Sequence, residues 1–311
     1  MAQVSVVVPC FNVEDKIERC INSIKEQTYK DFLCYFIDDG STDGTASLIK
    51  KLINNDQRFV YRYKSNGGQA SARNLGLELC DTKYITFVDS DDYLHQDYLF
   101  QLINSFDDGV DLTACFFDRV YENRISKNEF NEKDLLLSKY PAVWGKMIKT
   151  SIIKKNHIQF PEGLWYEDLC FFATLTSYIS EVNIVKKSLY YYIQNENSTM
   201  YTYSDKIYDI YKIFDILKKD PNIQQDTLEY LEIYHILIGT IYRASFKTDF
   251  TFSNIKCILE YVENRYPKWY KNHNIKTQLS GIYRIYLWFL QKHCIRLIFI
   301  ALKFGNRFLS L

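Results

Sequence analysis

Asp89, Asp91 and Asp92 stand together at the end of the apolar run "YITFV" (84–88), separated only by Ser90. Carboxylates packed this closely repel one another and are costly to bury without a cation among them. Asp89 and Asp91, two residues apart on an extended chain, point to one side. Hard oxygen ligands in an incomplete shell suit Mg2+ or Mn2+ that takes its remaining ligands from a substrate diphosphate. The competing reading is an acidic loop that caps the following segment, "YLHQDYLFQLIN".

Three further stretches carry candidate chemistry. In "IDDGS" (37–41), Asp38 and Asp39 close a second apolar run. Asp-Gly and Ser are turn residues, and a carboxylate there can also accept from a base N–H or a ribose hydroxyl. "NGGQASARN" (66–74) joins a Gly-Gly turn to a helix start, where backbone can approach an anion closely. It has neither the Walker-A lysine pattern nor dinucleotide-fingerprint spacing. Arg73 within it offers a fixed fork of donors suited to a diphosphate. In "LWYEDLCFF" (164–172), Glu167 and Asp168 are either first-turn acids of a helix or a general base desolvated by Trp165, Tyr166 and Phe171.

The elements that must position these groups alternate. Strand patterns at 4–9, 32–41, 59–65 and 83–92 are separated by helical patterns at 13–27, 42–55 and 66–80. Such alternation predicts an α/β layer with a mostly parallel sheet, and ligands in such sheets bind beyond the strands' carboxyl ends. Residues 111–130 predict one or two strands, and 141–156 and 167–180 predict helices. Everything after about residue 203 reads as amphipathic helix, so the chain is divided into 1–203 and a helical region 204–311.

With 47% hydrophobic and 24% charged residues in 311, the chain is globular rather than disordered. Its net charge of zero hides an asymmetry: all 38 acidic residues precede residue 264, against 29 basic ones, and nine Lys/Arg follow. The eight cysteines are scattered singly without zinc spacing, as expected of free thiols in a reducing cytosol. No secretory leader pattern and no spanning run of about 20 apolar residues is evident.

Taken together the four stretches resemble glycosyltransferase family 2, nucleotide-sugar transferases of GT-A fold, over roughly residues 1–200. The resemblance is carried by "SVVVPCFNVEDKIERCINSIKEQTYKDFLCYFIDDGSTDGT", "NGGQASARN", "YITFVDSDD" and "WYEDLCF", in the family's order. It implies an α/β Rossmann-like GT-A domain followed by a helical region. It implies that Pro9 and Asn12 shape a nucleotide loop, that Asp39 reads uracil, and that Arg73 lies near the nucleotide with Gly67 and Gly68 shaping its loop. Asp89 and Asp91 become the D-x-D, Asp91 as the direct ligand of Mn2+ or Mg2+ and Asp89 beside the ribose. Asp168 becomes the base of an inverting transfer from a UDP-sugar to an acceptor hydroxyl. Glu167 and Trp165 orient that base or touch the acceptor, and Ser198 contacts the diphosphate. No Q-x-x-R-W motif occurs, which favours single-sugar addition over polymerisation. The acceptor is left open among a glycan, a lipid-linked glycan and a glycoprotein. Two other readings are weighed: a catalytically silent, membrane-associated scaffold for another transferase, and a phosphohydrolase, for which "DSDD" lacks the usual nucleophile context.

The stretch 282–311 mixes Arg and Lys with Tyr, Trp, Phe, Leu and Ile. It fits an interfacial helix on a membrane, and equally a core helix or homo-oligomer contact. Nucleic acid fits worse, because no reading motif appears. The expected location is cytoplasmic, with peripheral attachment at the inner face of the cell membrane as the membrane reading.

Overall fold

A computed structural model describes residues 2–194, 204–279 and 281–304. The chain divides into two compact units, residues 1–163 with 167–195 and residues 164–166 with 196–311.

The first unit opens with β1 (Val4–Cys10), α1 (Ile17–Lys25), β2 (Phe32–Asp38), α2 (Thr45–Ile53), β3 (Phe59–Tyr63), α3 (Gln69–Leu79) and β4 (Tyr84–Phe87). It continues through β5 (Tyr93–Leu94), α4 (Tyr98–Ile103), β6 (Leu112–Tyr121), β7 (Arg124–Asn128), α5 (Glu132–Leu136), β8 (Lys146–Lys149), α6 (Thr150–Lys155), α7 (Glu167–Thr176) and β9 (Val182–Ile193). The strands form one sheet in the order β3-β2-β1-β4-β8-β6-β9-β5, with β7 beside β6. The first four are parallel, and β8 runs antiparallel to both β4 and β6. This is the α/β, helix-flanked sheet that strand–helix alternation leads to.

Local sequence explains the parallel half. Every residue of β1, "VSVVVPC", is buried, as a strand covered on both faces must be. In α1, Ile17, Cys20, Ile21 and Ile24 are buried at one-face helical spacing. Helix α3 lies close on β1 because residue 76 has no side chain: a Cβ on Gly76 would stand 2.3 Å from Val7 Cγ1. One expectation fails here. Residues 141–156 are not a helix, since Lys146–Lys149 form β8 and only Thr150–Lys155 are helical. The run "KMI" fills the sheet between β4 and β6, with Lys146, Met147 and Ile148 all buried, so tertiary packing overrides a helix-compatible pattern.

The second unit is helical: α8 (Asp209–Leu217), α9 (Gln225–Ile233) continuing as a π-helical segment over Tyr234–Thr240, α10 (Ile241–Ala244), α11 (Phe252–Arg265), α12 (His273–Gln278), α13 (Ile282–Gln291) and α14 (Ile295–Phe304). Its core holds Ile213, Phe214, Leu231, Leu237, Leu259 and Val262. The fully buried Glu232 is matched by Arg265 Nε at 2.7 Å and by the Tyr266 hydroxyl at 2.7 Å. Among the described residues no helix is long and apolar enough to cross a membrane.

Candidate active site

Of the acids at 89–92, Asp89 has its cation in Arg73. This arginine sits on the second turn of α3 with its side chain 1% exposed. Nη2 donates to Asp89 Oδ1 at 2.9 Å, and Nη1 donates to Asp168 Oδ1 at 2.5 Å and to Glu167 Oε1 at 3.2 Å. One guanidinium thus joins the loop after β4 to the first turn of α7. The plane lies over the Phe160 ring, 5.4 Å from its centroid, and Phe160 stacks on Phe171 of α7. Sequence alone suggested that the Arg73 fork would suit a diphosphate; in the structure both terminal nitrogens grip carboxylates.

Three carboxylates share that one positive charge, and the surplus shows in the ionisation of Asp168. Burial pushes Asp168 up to about 7; the Arg73 charge opposes this, while Glu167 and Asp89 add to it. The same three acids hold Arg73 firmly protonated against the cost of its burial.

The acids of "DSDD" separate into different roles. Asp92 is fully buried and its carboxylate is spoken for: Tyr190 Oη donates to Oδ2 at 2.7 Å and the Ile193 amide to Oδ1 at 2.8 Å. Tyr190 also accepts from the Asp89 amide and stacks on Trp144, so Asp92 fixes the loop and needs no cation. Asp91 differs. Its side chain is 36% exposed; Lys16 Nζ stands 3.9 Å from its carboxylate, and Arg19 Nη2 donates to its backbone carbonyl at 2.9 Å. Burial and then Asp89 push its carboxyl above the ordinary range, as expected where a positive ligand would be favoured. Among the described residues no three His, Cys, Asp or Glu side chains converge as a closed cation cage. One open carboxylate beside Asp89 fits an ion that draws most of its shell from a bound ligand. Beside Asp91, a groove of about 1060 Å³ runs between α1 and β5, lined by Lys16, Arg19, Tyr93, His95 and Tyr191 among others.

The loops after β1, β2 and β3 are stitched together. Pro9 is buried in β1. Asn12, in the left-handed region at φ +49°, receives the Thr42 amide at 2.8 Å on its side chain, and its own amide donates to Ser41 Oγ. Asp38 makes the expected turn bond, accepting from the Ser41 amide, and also accepts from Tyr61 Oη. Asp39 accepts from Lys64 Nζ at 2.7 Å, the Gly67 amide at 2.9 Å and the Gly68 amide at 2.7 Å. A carboxylate has about four acceptor positions, so one is left for a further donor. Gly68, at φ +88°, turns the chain into α3.

Trp165 groups with the second unit, where its amide donates to Asp209 Oδ2 at 3.3 Å. Tyr166, just before α7, takes φ +67°, an uncommon conformation for a bulky residue; Arg243 donates to its hydroxyl. Ser198 lies outside the described residues. One group went unrecognised in the sequence: Lys146 of β8, 3% exposed, donates to the carbonyls of Ala142 and Trp144 and lies 4.8 Å from the Phe172 ring centroid. Burial lowers its amine to about 7, opposed by the charge of Asp168. Nothing in "VWGKMIK" marks it, because a lysine normally keeps its charged end in water even among apolar neighbours.

The fold and site define an α/β architecture with an acidic strand end linked to an acidic helix start. The chain belongs to glycosyl transferase family 2, whose family model matches residues 5–166. It is 29% identical over 226 residues to glycosyltransferase GlyA of Streptococcus pneumoniae, covering 66% of this chain and 32% of that protein. It is 30% identical over 205 residues to the poly(ribitol-phosphate) beta-glucosyltransferase of Bacillus spizizenii, covering 61% and 32% respectively. The match therefore spans about a third of the length of either relative. Among solved structures it is similar to S. aureus TarS 1–349 in complex with UDP-GlcNAc, with TM-score 0.73, 20% identity and coverage of 98% of this chain and 91% of the other. It is also similar to mannosyltransferase PcManGT from Pyrobaculum calidifontis in complex with GDP-Man and Mn2+, with TM-score 0.58, 16% identity, and coverage of 97% and 86%. At these identities the likeness is one of fold.

Proposed function

We propose that this chain transfers one sugar, with inversion, from a UDP-sugar to an acceptor hydroxyl, residues 1–203 forming the transferase domain. The observation that carries the reading is the Asp89–Arg73–Asp168 bridge, which ties the D-x-D strand end to the acid pair opening α7. Asp168, with its proton affinity raised to about 7, suits a base that takes the acceptor's proton near neutrality. Glu167, on the same guanidinium, orients it. Asp39, with one acceptor position left, takes the uracil N–H, while the loop through Asn12 and the Gly67–Gly68 turn frame the nucleotide. Asp91, aided by Asp89, would hold Mn2+ or Mg2+. That ion would supply Lewis-acid stabilisation of charge on the departing diphosphate.

A relative named poly(ribitol-phosphate) beta-glucosyltransferase supports a polymeric glycan-type acceptor, and a cytoplasmic location fits use of a UDP-sugar. The test is UDP release from a panel of UDP-sugars with Mn2+, Mg2+ or EDTA, in the presence of candidate acceptors. Metal-dependent release from one donor is expected. UDP binding with no turnover on any acceptor would instead favour the scaffold reading, and absence of UDP binding would overturn the nucleotide site.

A further inference from the structure

Helices α13 and α14 each bury one face and expose another. On α13, Tyr286, Leu287 and Leu290 are buried, and the Tyr286 hydroxyl donates to the Leu237 carbonyl at 2.8 Å. Away from that face Ile282, Ile285 and Trp288, three residues apart, are exposed, Ile285 at 58% and Trp288 at 52%. On α14, Ile298 is buried and the Phe299 ring lies 5.8 Å from Phe250, while Leu297 and Ile300 are more than half exposed. The sequence left core helix and interfacial helix as equal readings. Packing accounts for one face of each helix and leaves the other.

Large apolar side chains in register on an exposed face mark a contact surface. The charge around them narrows its partner. Arg284, Lys292, Arg296 and Lys303 are all exposed on or between these helices, which carry no Asp or Glu of their own, while Glu263 of α11 reaches His293 between them at 3.5 Å. A second copy of the same face would bring these basic residues against their own kind. Nucleic acid would leave Ile and Leu without an apolar medium. An anionic lipid surface answers both features, with basic residues at headgroup level, Trp at the interface and aliphatic side chains in the acyl boundary.

We propose that the exposed face of α13 and α14 binds peripherally to bilayers carrying anionic phospholipid. Ile282, Ile285, Trp288, Leu297 and Ile300 enter the interface, and the four basic residues contact phosphate-bearing headgroups.

The proposal stands apart from sugar transfer, because binding is read without turnover. The full chain is sedimented with vesicles of phosphatidylcholine alone or mixed with phosphatidylglycerol, at about 0.1 M and 0.5 M NaCl. Binding to the mixed vesicles, little binding to phosphatidylcholine, and release at high salt are expected. Ile285→Ser with Trp288→Ser should abolish binding while leaving the circular dichroism spectrum and melting temperature unchanged, since both side chains are exposed. Lys292→Gln and Lys303→Gln should each weaken binding about fivefold. No sedimentation with anionic vesicles, or equal binding to both lipids, would overturn the proposal. So would a dimer, seen by analytical ultracentrifugation, that Ile285→Ser dissolves in a chain that ignores lipid.

Discussion

Arg73 Nη1 lies 2.5 Å from Asp168 Oδ1, although the two residues are 95 positions apart in the chain. With Asp89 and Glu167 on the same guanidinium, three negative groups lean on one positive group that is 1% exposed. The arrangement holds the site together and leaves it short of positive charge.

Replacing Arg73 by Met should therefore uncover three neighbouring carboxylates at once. Removing one partner of a buried ion pair costs roughly 3–5 kcal/mol. The loss should be large at pH 8 and smaller at pH 5, where the carboxyls can protonate. Denaturant midpoints of wild type and variant at the two pH values measure it; an equal loss at both would mean that the acids carry no repulsion.

Asp168→Asn should retain UDP affinity and lose transfer, read by parallel binding and turnover assays. In wild type, kcat/KM should rise with pH through about 7 as Asp168 ionises. Stability should move the other way. The folded state keeps this proton between the ordinary unfolded value of 3.8 and about 7, so stability falls as pH rises across that window and levels off above it. Asp168→Asn should remove that part of the slope in denaturation midpoints.

Asp91→Asn and Asp92→Asn should fail differently. The first, at a half-exposed and thinly paired carboxylate, should leave melting unchanged and abolish the metal-dependent part of UDP binding. The second places an amide where the Tyr190 hydroxyl and Ile193 amide donate, leaving donor against donor. It should lower stability by about 1–3 kcal/mol. Thermal melting and UDP titration with and without EDTA separate the two.

Lys146→Met should be folded. The buried amine is lowered to about 7, so the unfolded state binds the extra proton between about 7 and the ordinary 10.5, and wild-type stability rises with pH over that range. The variant should gain most below pH 7 and lose its advantage toward pH 10. Turnover of the same variant shows whether Asp168 needs this neighbour: a fall in kcat with unchanged UDP affinity is expected.

Much of this architecture is written locally. The β-branched run of β1 and the one-sided apolar spacing of α1 declare themselves within a few residues, and so do the acids closing β2 and β4. What is not local was not legible. Asp92 looks like its neighbours until Tyr190, 98 positions later, reaches it. Arg73 reads as a ligand for phosphate until α7 brings two more acids to it. Residues 146–149 fit a helix pattern as well as a strand, and only the opening between β4 and β6 decides. Lys146 escaped notice for the same reason, since its burial is a property of that insertion and not of its neighbours in sequence.

The close approach of α3 to β1 at Gly76 has a reach beyond packing. Arg73 stands one turn earlier on that helix, so its guanidinium is aimed by the seat that Val7 gives residue 76. A methyl group there would tilt the whole lever, and the far end of that lever holds the acid pair of α7. Loss of activity in this chain can therefore arise at a position with no polar atom in its side chain, and a survey of inactivating changes confined to charged residues would pass over it.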